Sequence, residues 1–358
     1  MVRMKTPLRA LVVLGLLAAS CVAPANPPAI ASPTPPPTQP TTGSVAPTVR
    51  PVPTRYEASV FVSDASNVSA LAVGDTQLFL AVNVLGARPG DTQSSIAAIP
   101  LLTGGGQIGT LTGPATLGGT QAIGMQVGGV AVFKNEVYFS RQFGPNARDS
   151  GVFRYSGNQL TVVAGGPGSP ATLSPGGDGG QATAASLDTP AGIAFNAAAD
   201  LFVAEVGAGR VRRVSGGMIS TYAGRGPCGV IDPPTPGPAT QTLLCGPELV
   251  AANATGDLYV TRRGWTWIAK VSQLGALTVI NKFQASGLAV DANGALLATD
   301  GTSGRVVRFD ATGLATTIAD GLGIVSALAV GPDGSIYVLH STAPSGTFLL
   351  KVTKLRPM

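Results

Sequence analysis

From about Tyr56 to the C-terminus, short apolar runs alternate with turns rich in glycine and aspartate, and no useful length of chain keeps a helical period. Three segments of fourteen residues align without a gap: Leu201–Val214 (LFVAEVGAGRVRRV), Leu258–Val271 (LYVTRRGWTWIAKV) and Leu296–Phe309 (LLATDGTSGRVVRF). Each reads as an apolar strand, a tight polar turn and a second strand. Ile336–Val352 repeats the pattern with three extra turn residues, Val137–Tyr155 with a longer turn, and Leu78–Leu102 is the most diverged copy. A strand of small residues precedes each pair: Ala70–Val73, Gly129–Val132, Gly192–Phe195, Leu249–Ala252, Gly287–Val290 and Ala327–Val330. A fourth strand closes the unit, as in Leu160–Ala164, Ile219–Ala223 and Leu277–Ile280. Four short antiparallel strands repeated six times predict an all-β, six-bladed propeller, with the small-residue strand innermost, where blades converge.

The ends of the chain fit this count. Glu57–Val73 aligns without a gap on Leu314–Val330, a segment holding a fourth strand and the next first strand. Ala58–Val62 is therefore expected to complete the last blade and pair the two chain ends in one sheet. Before residue 56 the chain changes character. Arg3, Lys5 and Arg9 precede an apolar run, Ala10–Ala19, too short to span a bilayer and shaped like a secretory signal. The run ends Leu17-Ala18-Ala19-Ser20-Cys21, which resembles the lipobox of bacterial lipoproteins, although that family usually carries Leu, Val or Ile where Ala18 stands. The resemblance implies cleavage before Cys21 and lipidation of its thiol; an ordinary signal with an incidental cysteine is the alternative. Residues 21–55, dense in proline, serine and threonine, read as an extended tether. The expected organisation is signal peptide 1–20, tether 21–55 and propeller 56–358.

Charge has to be read by region. The formal net charge is +5, but five of the 23 basic residues (Arg3, Lys5, Arg9, Arg50 and Arg55) precede Glu57, the first acidic residue. The remaining 18 balance the 18 acidic residues, so the propeller is formally neutral and nucleic acid is excluded as its expected partner. Cys228 and Cys245 flank a proline-rich loop and are expected to form a disulfide in an oxidising compartment, stabilising the fold by about 3 kcal/mol. One histidine in the chain, His340, makes a Cys/His zinc site improbable.

The run Gly176-Gly177-Asp178-Gly179-Gly180-Gln181-Ala182 leads to Leu187, Pro190 and Gly192-Ile193-Ala194, then LFVAE at 201–205, RVRRV at 210–214 and Tyr222-Ala223-Gly224. This series resembles a bacterial NHL-repeat protein, with Glu205 where the family usually has Asp. The match is strong over residues 184–226, moderate toward the C-terminus and weak before Gly151. It implies a propeller and, for most members, a binding or scaffolding role.

Function is read from the repeats. The alignment places Arg141, Glu205, Arg262, Asp300 and His340 at equivalent positions, the ends of the second strands, with Val82 breaking the pattern. Equivalent positions form a ring on one face, so a polar rim is expected at the channel mouth, open to a ligand or consumed in ion pairs between blades. Trp265 and Trp267, the two tryptophans of the chain, fall in a turn and are candidate contact anchors, or packing residues. The resulting expectation is an exported, lipid-anchored, monomeric binding module without cofactor or catalytic residues, facing an envelope protein or a glycan. The alternative is an extracellular, metal-dependent lactonase-like hydrolase of the gluconolactonase or strictosidine-synthase kind. Its oxygen ligands would come from Glu205, Glu248 and Asp300 with Asn196 or Asn253. The amidating lyase of the same fold uses zinc and histidines, which a single His340 cannot supply.

Overall fold

The computed structural model describes residues 56–62, 68–85, 92–101, 126–142, 150–156, 159–165, 176–229, 233–281, 283–341 and 350–358. The signal-like segment, Cys21 and the proline-rich stretch lie outside the described residues. The chain opens with β1 (Tyr56–Val62) and then runs through six consecutive sheets. Blade one is β2 (Val68–Val73), β3 (Gln77–Leu85) and β4 (Thr92–Pro100). Blade two is β5 (Gln126–Phe133), β6 (Glu136–Gln142), β7 (Gly151–Ser156) and β8 (Gln159–Gly165). Blade three is β9 (Pro190–Phe195), β10 (Leu201–Glu205), β11 (Arg210–Ser215) and β12 (Met218–Ala223). Blade four comprises β14 (Leu249–Ala252), β15 (Leu258–Thr261), β16 (Ile268–Val271) and β17 (Ala276–Asn281), with the two-residue β13 (Gly237–Pro238) added outside. Blade five is β18 (Ala285–Val290), β19 (Leu296–Asp300), β20 (Arg305–Phe309) and β21 (Ala315–Ala319). Blade six is β22 (Ile324–Val330), β23 (Ile336–Ser341) and β24 (Leu350–Pro357), completed by β1 through pairs such as Ala58 with Leu355. The six-bladed, all-β architecture expected from the repeats is the one observed.

Six apolar clusters hold the ring, one at each blade boundary. Leu71, Leu80 and Val82 of blade one meet Tyr337, Leu339 and Val352 of blade six. Phe202 and Val211 of blade three meet Val260, Trp267 and Leu277 of blade four. Ile268, Leu296 and Phe309 join blades four and five. The alternation of each strand sends successive side chains to opposite seams, so one sheet feeds two clusters. Burial in six such seams is the main favourable term in the fold.

Near the axis the inner strands touch backbone to backbone. Gly192 donates its N–H to the Glu248 carbonyl oxygen at 2.8 Å, and a Cβ at Gly192 would lie 2.5 Å from that oxygen. A Cβ at Gly129 would meet the Ala191 carbonyl at 2.8 Å, and one at Gly287 the Ala327 Cα at 3.0 Å. The preference of β5, β9 and β18 for glycine is a steric requirement of closure. Substituting Gly192 by Ala should therefore force blades three and four apart and cost about 1–3 kcal/mol, read as a lower denaturation midpoint.

Candidate functional site

Two faces follow from the strand order. The inner strands begin on one face, which also carries the connections between blades (the loop face). They end on the other, where tight turns lead into the second strands (the turn face). On the loop face the start of the inner strand is irregular in five blades. The register of the first pair slips between Val68 and Ala70, Val127 and Gly129, Ala285 and Gly287, and Val325 and Ala327, and opposite Val203 and Glu205 in blade three. Such bulges re-aim a side chain next to the axis. Three of the slipped residues are serines, Ser69, Ser286 and Ser326, in the adjacent blades one, five and six.

Arg263, just beyond the end of β15, reaches across this rim. Its Nη1 donates to the Ser286 carbonyl oxygen at 2.5 Å and to the Ser326 carbonyl oxygen, and its Nε donates to Glu248 Oε1 at 3.1 Å. One guanidinium thus ties blades four, five and six together at the axial mouth. Both side chains of the Glu248–Arg263 pair remain one-third exposed. Arg263 Nη2 and Glu248 Oε2 have no hydrogen-bond partner among the described residues, so a donor and an acceptor stand side by side at the mouth.

The ring expected from the aligned second-strand ends is not an open rim; its residues are drawn into their own blades. Glu205 is fully buried: Oε2 accepts from Arg212 Nη1 at 3.2 Å and Oε1 from the Asp188 N–H at 2.7 Å. Arg212, also fully buried, pairs in addition with Asp178, whose Oδ2 accepts from Thr221 at 2.6 Å. This triad clamps the glycine-rich 176–180 turn against blade three. Burial raises the Glu205 carboxyl to about 7, despite the opposing pull of Arg212. Asp300 accepts from Thr302 and Ser303 and pairs with Arg305 at 3.1 Å. Burial pushes its carboxyl up, but those donors outweigh it and hold it well below the carboxylate range. His340 is buried between the Leu322 carbonyl (2.6 Å) and the Thr353 hydroxyl (2.7 Å), and burial lowers its pKa. Arg141 lies over the Phe153 ring at 5.6 Å, and Val82 is core.

Of the tryptophans, Trp267 is 1% exposed and packs in the seam between blades three and four. Trp265 is half-buried, edge-on to Trp267 at 6.2 Å, with Arg262 stacked on it at 4.7 Å. Arg262 also donates to the Cys245 carbonyl at 3.4 Å, which ties this pair to the Cys228–Cys245 disulfide. The disulfide is formed, as expected, and is the bond of an oxidising, exported location. No helix among the described residues is long and apolar enough to cross a membrane.

The turn face carries a ring that the sequence reading missed. Five blades pair an acidic residue at or beside the first turn with a base on the third strand. The pairs are Glu136–Arg154 (3.4 Å), Asp200–Arg213 (2.7 Å), Asp257–Lys270 (2.7 Å), Asp291–Arg308 (2.8 Å) and Asp333–Lys354 (3.3 Å). Arg213, Lys270 and Arg308 occupy one column of the aligned fourteen-residue segments, a visible signal; the acids sit at shifting offsets in the turns and hide it.

No protein-family model matches the chain, and no curated protein matches it in sequence; the NHL-repeat likeness therefore rests on residues alone. Solved structures do align. A gluconolactonase from Xanthomonas campestris superposes with a TM-score of 0.51 at 14% identity, over 84% of this chain and 89% of that one. A proposed gluconolactonase gives 0.51 at 14% over 85% and 93%. A proposed glucose dehydrogenase from Thermus thermophilus gives 0.50 at 16% over 84% and 99%. What is shared at such identities is the fold. It is a fold that carries lactonases and dehydrogenases, and this corrects the expectation of a protein that is no enzyme: the propeller is no ground for a non-catalytic reading.

A lactonase of this kind would call for a divalent cation among oxygen ligands. The candidate ligands do not fit one. Glu205 is sealed by Arg212, Asp300 is saturated by its own turn, and Asn196 and Asn253 bond Asp200 and Asp257 on the opposite face. Among the described residues, no three His, Cys, Asp or Glu side chains are grouped to hold a metal.

The pH dependence of stability tests the triad. A carboxyl raised to about 7 in the fold from an ordinary 4.5 contributes stability that is fully present below 4.5 and lost as pH rises toward 7. His340, held below its ordinary 6.5 by burial, pulls the other way in the same window, so the test is a difference: the denaturation midpoint of the wild type should fall from pH 4.5 to 7 relative to that of Glu205→Gln, which keeps His340 but lacks the carboxyl.

Proposed function

We propose that this chain is an exported, lipid-anchored enzyme that hydrolyses a lactone or related ester at the axial mouth of its loop face. The observation that carries the reading is the Glu248–Arg263 pair, held on the Ser286 and Ser326 carbonyls at the convergence of the inner strands. The propeller shared with a gluconolactonase supports it. The lipobox-like residues before Cys21 and the Cys228–Cys245 disulfide support export and an anchor at Cys21.

The chemistry follows from the two atoms that have no partner among the described residues. Arg263 Nη2 donates to the substrate carbonyl oxygen and stabilises the negative charge that develops there. Glu248 Oε2 takes a proton from water as the water oxygen bonds to the carbonyl carbon. The ring C–O bond then breaks, the proton passes to the leaving alkoxide, and a hydroxy acid is released. Anchoring Arg263 on two carbonyls fixes the donor before substrate arrives, which is where such a site gains its rate.

The purified protein should accelerate hydrolysis of glucono-lactone and of simple γ- and δ-lactones in a pH-stat assay. Glu248→Gln should lower kcat by about 10²-fold or more with an unchanged melting temperature. Lactones that hydrolyse no faster with the protein than in buffer would overturn the reading.

A further inference from the structure

One seam of the turn face is built twice, with different contents. In blades two to five the outer strand has a one-residue irregularity against the third strand, at Val163, Tyr222, Ile280 and Ile318. In blade three that residue, Tyr222, turns into the seam with blade four. Its hydroxyl donates to the carbonyl oxygens of Gly256 (3.4 Å) and Ser272 (3.3 Å), on two turns of blade four. The groove left between blades three and four is about 280 Å³.

Between blades four and five the same position is Ile280, too short to cross. The groove there is about 560 Å³, twice the size. Its walls repeat those of the smaller one. Asp257 and Lys270 stand where Asp200 and Arg213 stand, and Gly294 and Asp310 are the counterparts of Gly256 and Ser272. Phe202 of blade three is replaced by Tyr259, whose hydroxyl has no hydrogen-bond partner among the described residues. The residues matching those that Tyr222 reaches across the first seam thus line an open groove in the second, where the Asp310 carbonyl oxygen accepts from the Gly313 N–H at 3.0 Å and keeps its second lone pair for another donor.

We propose that the groove between blades four and five binds a neutral saccharide ring, which takes the place that Tyr222 fills one blade earlier. The chemistry selects this class. A pyranose, like the phenol, is a compact ring with an apolar face and edge hydroxyls able to donate to the Gly294 and Asp310 carbonyls. Lys270 and Arg308 are neutralised by Asp257 and Asp291 at 2.7 and 2.8 Å, so they offer donors without a net positive field. The Asp310 carboxylate, tied through Oδ1 to Thr312 and Leu314, disfavours an anionic sugar. A groove of this volume lies within the range of small-molecule sites, roughly 300–1,000 Å³. It sits on the face opposite the Glu248–Arg263 pair and is independent of the catalytic reading.

The test is calorimetric titration of the purified protein with glucose, galactose, mannose and N-acetylglucosamine at millimolar concentrations, with p-cresol as a phenol control. At least one sugar should bind. Ile280→Tyr, which rebuilds the plug of the neighbouring seam, should weaken that binding about tenfold or more while the melting temperature holds or rises. Tyr259→Phe should weaken it less. Absence of binding by every sugar, binding of p-cresol alone, or sugar binding unchanged in Ile280→Tyr would each overturn the proposal.

Discussion

The approach of six inner strands to one axis is the constraint on which the rest of this molecule depends. Where Gly192 meets the Glu248 carbonyl, and Gly129 the Ala191 carbonyl, there is no room for a Cβ. Backbone polar groups brought so close must bond across blades or be left unsatisfied. The Gly192 N–H answers Glu248, the Ser69 hydroxyl answers Val127, and the Ser140 hydroxyl answers Ala191. Between blades four, five and six an arginine does the same work. Arg263 is at once a structural tie and a part-exposed cation at the axial mouth, because its guanidinium reaches carbonyls of two other blades.

Closure also explains the fate of charged residues farther out. A second strand ends beside the turn and third strand of its own blade, so a side chain at its last position finds its partners there. Glu205 and Asp300 accept this in different ways. The Asp300 oxygens collect donors from the turn that follows, which keeps it ionised. Glu205 is shut in with Arg212, and its desolvation is offset only in part. At the other face, the five acid–base pairs range from largely buried (Arg308–Asp291) to part-exposed, and the more exposed of them are worth about 0–1 kcal/mol each.

Because each blade repeats the last, one substitution in a repeated position is legible as a local change of use. Tyr222 and Ile280 occupy the same irregular step of the outer strand, and Phe202 and Tyr259 the same step of the second. Exchanging a long residue for a short one in one place, and gaining a hydroxyl in the other, turns a filled seam into an open one. Repetition supplies the frame, and departures from it mark the places where a ligand fits.

Much of this was determined by the sequence alone. Alternation of apolar residues, aligned turns and small-residue strands set six blades, and the match of Glu57–Val73 to Leu314–Val330 set the pairing of the chain ends, because strand period and turn chemistry are local properties. The Cys228–Cys245 bond was legible for a similar reason: two cysteines lie close along the chain around one loop. The column holding Glu205, Asp300 and His340 was legible as a column, but not the direction of its side chains. That is decided by which seam each faces and by partners such as Arg212 and Thr353 that lie on other strands. The seat of Arg263 on the Ser286 and Ser326 carbonyls and the groove beneath Ile280 were invisible for the same reason. Each joins residues of two or three blades, brought together only when the ring closes.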